Sequence, residues 1–260
     1  MSCALVLLGI PLAQLASAAL IMTVGVALQS AVGFGMGLVT VPLLLWTGRS
    51  LPEAVAILLG ASAVQNAYGT WTVRSIVPWR TTLGVATGQW VFVPLGVLAM
   101  GALAAAGPDV VKQAVGGIVA AILVLRAAFR PTPRASLPWT WGALAGAGSG
   151  FLSGLVGMGG PPIVIFALAH EWTKDQFRGF LWSSFLVMLP VTTTVLAVRM
   201  GVEVLGWTAF GIVLLPCLWL GSRAGLLLSH RWDAERMRNV ATGMLVLVAA
   251  WSVLGPYLVG

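Results

Sequence analysis

The sequence predicts an all-α polytopic membrane protein made of two homologous halves, the second an inverted repeat of the first. Each half carries a glycine-rich broken or re-entrant helix followed by three membrane helices. Three observations carry this reading. Of the residues, 59% are hydrophobic and 8% charged, against about 25% charged in ordinary soluble domains. Apolar runs recur along the chain and approach or exceed the roughly 20 residues that cross a bilayer. The cluster Gly154-Leu155-Val156-Gly157-Met158-Gly159-Gly160-Pro161-Pro162 is echoed 122 residues upstream by Gly33-Phe34-Gly35-Met36-Gly37-Leu38-Val39-Thr40-Val41-Pro42.

Residues 3–32 form the first apolar segment. Ala16-Ser17-Ala18 resembles a leader cleavage site. No Lys or Arg precedes the apolar run, so it is read as a retained first membrane helix. The glycine cluster interrupts the run, because residues without Cβ allow a break or reversal. A short stretch, Leu38 to Thr47, continues it. Further segments run from Glu53 to Val73, Leu83 to Ala106 and Val110 to Phe129, with turn signals at Arg74–Arg80 and Gly107-Pro108-Asp109. The linker Arg130–Pro138 separates an N-terminal repeat, 1–129, from a C-terminal repeat, 139–260. The second half repeats the plan: Trp139 to Val156, the glycine break, and Pro162 to Ala169. Phe177 to Val198, Val204 to Ser229 and Asn239 to Val259 follow. Pro161 and Pro162 favour a fresh helix, since a missing N–H costs nothing in a first turn. Val39 and Thr40 stand opposite them in the first half, where the restart is less firmly specified.

One shift of 122 residues also sets Leu59 on Leu181, Ser62 on Ser184, Leu83-Gly84 on Leu205-Gly206 and Pro94 on Pro216. Duplicated halves of this kind are common in secondary transporters. Charge decides between parallel and inverted halves. With four crossings per half, Lys and Arg divide six against eight. If each glycine break turns the chain back, Arg74, Arg80, Arg126, Arg130, Arg134, Lys174, Arg178, Arg223, Arg231, Arg236 and Arg238 share one side. Only Arg49, Lys112 and Arg199 lie opposite. Eleven against three satisfies the positive-inside rule. The expected protein has inverted halves and both termini on the non-cytoplasmic face. The ten or so residues after each break give about 15 Å of helix, half a membrane.

A helix starting in mid-membrane points unpaired N–H groups and its positive dipole end at the break. Two such ends facing each other would bind a small anion without a full positive charge. The candidate binding residues are therefore Gly35, Met36, Gly37, Gly157, Met158, Gly159 and Gly160. Neutral donors in nearby segments join them: Gln65, Asn66, Gln89, Ser183 and Ser184. Ser and Gln in membrane helices also serve as interhelical glue, worth about 0.6 kcal/mol on average. Two adjacent amides in an apolar helix are costly without a partner, which favours Gln65-Asn66. Arg223 either binds substrate charge or snorkels to the surface. Trp71, Trp79, Trp139, Trp207 and Trp232 read as interfacial anchors.

Several classes are disfavoured. The net charge of +7 is scattered over inter-helix loops, which speaks for membrane orientation and against nucleic acid. Cys3 and Cys217 are far apart and suggest neither a disulfide nor a metal site. His170 and His230 lie at segment ends and no hydrolase motif occurs, so no enzyme and no cofactor is expected. All seven acidic residues (Glu53, Asp109, Glu171, Asp175, Glu203, Asp233, Glu235) fall at or near loops. No mid-helix carboxylate is available to carry a proton or sodium ion. Gly142, Gly146, Gly150 and Gly154, and Gly221 with Gly225, form close-packing faces that fit packing within one chain, a homo-oligomer or an assembly subunit.

The glycine clusters, the two four-segment halves and the length together resemble the TauE/SafE family of sulfite and organosulfonate exporters, over essentially the whole chain. Gly154 to Pro162, echoed at Gly33 to Pro42, is the most specific part. The resemblance implies a secondary transporter exporting sulfite, sulfoacetate or a related sulfonate across the bacterial inner membrane. The alternatives are an anion channel or a non-transporting assembly subunit.

Overall fold

The computed structural model describes residues 12–32, 35–128, 132–231, 243 and 246–252. Cys3, Gly33-Phe34, Arg130-Pro131, Trp232, Asp233, Glu235, Arg236, Arg238 and most of the last expected segment lie outside the described residues. The helices are α1 (Leu12–Val32), α2 (Met36–Trp46), α3 (Leu51–Thr72), α4 (Trp79–Ala105) and α5 (Pro108–Ala128) in the first part of the chain. Then come α6 (Trp139–Val156), α7 (Gly160–Leu168), α8 (Lys174–Met200), α9 (Glu203–Val213) and α10 (Leu215–Arg231). Residues 246–252 are also helical.

Local chemistry sets the boundaries. The Ser50 amide donates to the Glu53 carboxylate at 3.0 Å at the start of α3. Thr173 and Gln176 cap α8 reciprocally, at 3.1 and 3.2 Å. α4, α5 and α8 are each long and apolar enough to cross a membrane, and α9 with α10 passes as one bent span. Their outward faces carry exposed Leu83, Val91 and Leu98 on α4 and Val124 on α5. Lipid covers such faces at no cost, and this is a multi-pass membrane protein. Trp71, Trp79 and Trp139 are exposed near helix ends, where amphipathic rings anchor at the interface.

One expected segment, Val204 to Ser229, is two helices. The chain bends by 51° between α9 and α10. Pro216 has no N–H to give and its ring crowds the carbonyl of Ile212. Pro94 lies within α4, yet α4 runs through it unbroken.

Both glycine breaks reverse the chain. A Cβ on Gly25 of α1 would strike the Thr40 side chain of α2. Nearer the outer end, Arg49 donates to Gln14 at 2.9 Å. α6 and α7 pair likewise, with Gly148 against Pro162 and Gly142 against Phe166. Beyond them, the Arg134 amide donates to the Ala169 carbonyl at 2.9 Å and the Glu171 amide to Arg134. Each pair is thus an antiparallel hairpin.

The hairpins are gripped by the longer helices through small residues. Cβ atoms on Gly146, Gly150 and Gly154 of α6 would meet the carbonyls of Val85, Gln89 and Val93 on α4. Those on Gly221 and Gly225 of α10 would meet the carbonyls of Thr23 and Ala27 on α1. Both contacts run parallel and backbone to backbone, so these glycine faces are spent inside the chain. α3 meets α9 through Gly60 and Gly211, and meets α8 where Trp182 covers Gly69.

Contacts sort the loops into two ends. One end holds Gln14 with Arg49, Arg49 over the Trp207 ring, Lys112 over Trp46, and Gly101 beside Met200. The other holds Arg134 with Ala169, Gly179 against Val73 and Val77, and Trp79 bonded to the Arg74 carbonyl.

Candidate functional site

The site begins with how each hairpin turns. α6 closes on Gly157 with φ 71. The Gly157 amide reaches back to Ser153 at 3.0 Å and that of Met158 to Leu152 at 3.2 Å; the first is the 5→1 bond of an αL closure, which a left-handed glycine permits. α7 then starts at Gly160 behind Gly159 as N-cap. In the first hairpin, Gly35 is the N-cap of α2 with φ 107, a value that residues with a Cβ rarely adopt. Gly35 and Gly157 are 122 residues apart, the spacing of the two glycine clusters.

The two turns touch. A Cβ on Gly37 would lie 2.8 Å from the Gly157 carbonyl oxygen and 3.1 Å from the Leu58 side chain. A Cβ on Gly159 would strike the Ser153 hydroxyl and lie 2.6 Å from the Ser149 carbonyl. Backbones therefore approach here to a distance that only glycine allows.

Between the turns lies a cavity of about 70 Å³, room for several waters or one compact anion. Gly35, Met36 and Gly37 line it from the first hairpin, and Gly157, Met158, Gly159 and Gly160 from the second. Asn66 lines it from α3. Three polar side chains that sequence reasoning missed join them: Gln29 of α1, Ser62 of α3 and Ser153 of α6. Met188 and Phe185 of α8 add to the wall, and among the described residues no charged side chain lines it.

The donors can be counted from helix geometry. The N-cap and first three residues of a helix have N–H groups without an i−4 partner. In α2 these belong to Gly35, Met36, Gly37 and Leu38, and Leu38 already donates to Gly35 at 3.1 Å. Three amides remain without a partner among the described residues. In α7 they belong to Gly159, Gly160, Pro161 and Pro162, and proline has no N–H. Two remain. Asn66 is 1% exposed and its Oδ1 is buried without a partner, at a cost of about 1–3 kcal/mol if nothing else bonds it. Half a turn of its amide would present the NH₂ group instead.

The other expected residues stand outside the cavity lining. Gln65 precedes Asn66 and its Oε1 is buried and unpartnered. Gln89 donates to Ser149 at 3.0 Å across the α4–α6 contact, leaving its Oε1 unpartnered. Ser183 bonds Thr82 and the Phe180 carbonyl, both at 3.1 Å, and so ties α8 to α4. Ser184 is buried with no partner. Arg223 is exposed with its guanidinium 5.2 Å from the Trp219 ring centre, as a snorkelling side chain would be. A signal for Ser153 was present: it stands one helical turn before Gly157. Gln29 carried none, because its relevance depends on how the hairpin folds back.

Among the described residues, Glu53, Asp109, Asp175 and Glu203 occupy first turns of helices and Glu171 a loop. A cluster of His, Cys, Asp or Glu able to hold a metal is absent from the described residues.

A family model described as sulfite exporter TauE/SafE matches residues 17–252. No curated protein and no solved structure matches the chain.

Proposed function

Because this chain belongs to the sulfite exporter TauE/SafE family of membrane transporters, we propose that it exports a small anion across the inner membrane and binds it between the two hairpin turns. The substrate is sulfite, sulfoacetate or a related organosulfonate. One observation carries this reading: two helix N-termini meet on a small cavity where, among the described residues, amides and the Asn66 Oδ1 lack partners and no charged side chain is present. Amides and a helix dipole replace an anion's hydration without a full cation. That makes for a site that binds yet releases.

The halves are read as two inverted repeats, 1–129 and 139–260, joined by the 130–138 linker. Three findings support this. The chain enters α1 at the end that holds Gln14 and Arg49, and enters α6 at the end that holds Arg134 and Ala169. Both hairpins return to the end they left. The principal contacts also come in matched pairs, α4 on α6 with α10 on α1, and α4 on α8 with α9 on α3. Of the nine basic residues whose side chains are described, Arg74, Arg80, Arg134, Lys174 and Arg178 gather at one end and Arg49, Lys112 and Arg199 at the other, with Arg223 within α10. The first end is the cytoplasmic one under the positive-inside rule, and the termini are periplasmic.

No carboxylate lies in mid-helix among the described residues, so the transport is driven by membrane potential alone. Moving one negative charge out of a negative-inside cell is favourable by about 2.3 kcal/mol per 100 mV. At the periplasmic end a cavity of about 350 Å³ lined by Arg49 and Lys112 receives the released anion.

Purified protein in liposomes should move labelled sulfite or sulfoacetate, saturably, and faster as the imposed potential grows. Flux that does not saturate would mark an anion channel. Absence of flux would leave an assembly role, against which stands the use of the glycine faces within the chain. Transport that survives a potential clamped at zero but stops when a proton gradient collapses would refute the uncoupled mechanism.

A further inference from the structure

On the inverted-repeat reading, residue n of the first half and residue n + 122 of the second hold equivalent places. The counterpart of α4 is then α9 and α10 taken together, yet the two differ in shape. α4 continues through Pro94 as one helix, whereas its counterpart is broken into two helices that bend by 51° at Leu214, two residues before Pro216. Leu214 corresponds to Phe92 and Pro216 to Pro94. Both helices carry the same weakness, a missing N–H and a crowded carbonyl one turn back.

What differs is the bracing. The Trp90 indole N–H donates to the Val187 carbonyl of α8 at 3.1 Å, just before Phe92. Cβ atoms on Gly88 and Gly96 would meet α6 backbone on both sides of that point. In the second half Ile212 stands in place of Trp90 and offers no donor. There the two pieces also have separate partners: α9 lies on α3 through Gly60 and Gly211, and α10 on α1 through Gly221 and Gly225.

We propose that Phe92–Pro94 is a latent hinge, and that the protein changes the side to which its site opens by exchanging these shapes: α4 bends as α9 and α10 straighten. Giving each inverted half the other's conformation regenerates much the same contacts with the membrane faces exchanged. The two states are thereby close in energy, and a bound anion with modest differential affinity shifts their populations.

The test uses full-length protein in liposomes, with Cys3 and Cys217 replaced by alanine. One pair of spin labels goes at Arg80 and Ala105, across α4, and the equivalent pair at Val202 and Leu227, across α9 and α10. A bend of that size over about 25 residues shortens a pair by about 4 Å. On adding sulfite to one side, one pair should lengthen while the other shortens. Pro94→Ala restores the N–H and should abolish the short α4 distance. Transport should then fall about tenfold or more while sulfite binding stays within about twofold. If labelled protein transports sulfite while the α4 pair keeps a single distance, or while both pairs change in the same sense, the hinge is refuted and the transporter reading survives. Single cysteines at Arg80 and Val202 report on the premise. Labelling by an impermeant thiol reagent from the same membrane face would show parallel halves, and the reading and the hinge would fall together.

Discussion

The two hairpin turns do the same job with different means. The second is fixed by chemistry that sequence displays openly: a left-handed Gly157 closes α6, and Pro161 and Pro162 preset the first turn of α7. Among the described residues of the first, Gly35 at φ 107 makes the turn, and α2 is nonetheless the longer helix, 11 residues against 9. The prolines that make the second turn firm also strip it of donors, leaving two amides against three in the first without a partner among the described residues. Firmness and donor count are thus divided between the turns. Asn66 adds to the donor-rich side, since Met188 stands 122 residues on and brings only a thioether to the same cavity.

The largest effect should come from filling the space between the turns. Gly159→Leu drives a side chain into Ser153 and the Ser149 carbonyl, so sulfite uptake into liposomes should fall by at least about a hundredfold, as for a site that no longer admits its ligand. Uptake at the wild-type rate would remove the cavity from the mechanism. Monodispersity in detergent separates a blocked site from a failed fold.

Asn66→Leu comes next and sets function against stability. A buried amide with an unmet atom is a cost of about 1–3 kcal/mol in the empty protein, and replacing it with an apolar side chain removes that cost. The melting temperature should rise or hold while transport drops about tenfold, the worth of one lost hydrogen bond to a charged ligand. An amide that merely glued helices together would behave in the opposite way, with lower stability and unchanged affinity.

Much of this was legible in the chain and some was not, for definable reasons. Trp139–Val156 is helical over the span expected, because Pro138 and Gly157 bound it. The charge count anticipated that each break returns the chain to its starting end. The Leu214 bend was hidden because Pro94 and Pro216 match in sequence, and only the surrounding packing decides which of them breaks its helix. In the site, the glycines and Asn66 stood out as anomalies of composition. Ser183 and Gln89 stood as candidates behind Gln65-Asn66, and each has a partner, Thr82 and Ser149; partners across helices are not written in a single chain.

Gly35→Ala should act on stability through the backbone. Leu28 is the nearest side chain to a Cβ there, at 3.8 Å, so the loss is backbone strain alone, about 1–2 kcal/mol. Thermal unfolding in detergent should show it. Gly157→Ala should cost more, because Leu58 and Val55 stand 3.2 Å from its Cβ and crowding adds to strain. Equal costs would mean that the turns are not distinguished by packing.

The smallest effects test the division of labour itself. Pro161 lines the cavity and Pro162 does not. Replacing either by alanine loosens the unfolded chain by a similar amount, about 0.4–1 kcal/mol, and returns an N–H to the first turn of α7. Only in Pro161→Ala does that N–H face the anion, where a hydrogen bond is worth about 0.5–1.5 kcal/mol. Sulfite affinity should therefore rise about twofold to threefold in Pro161→Ala and stay level or fall slightly in Pro162→Ala, while both melt a little lower. If the two variants shift affinity together, the turns bind through their dipoles as a whole, and counting individual amides is the wrong description of the site.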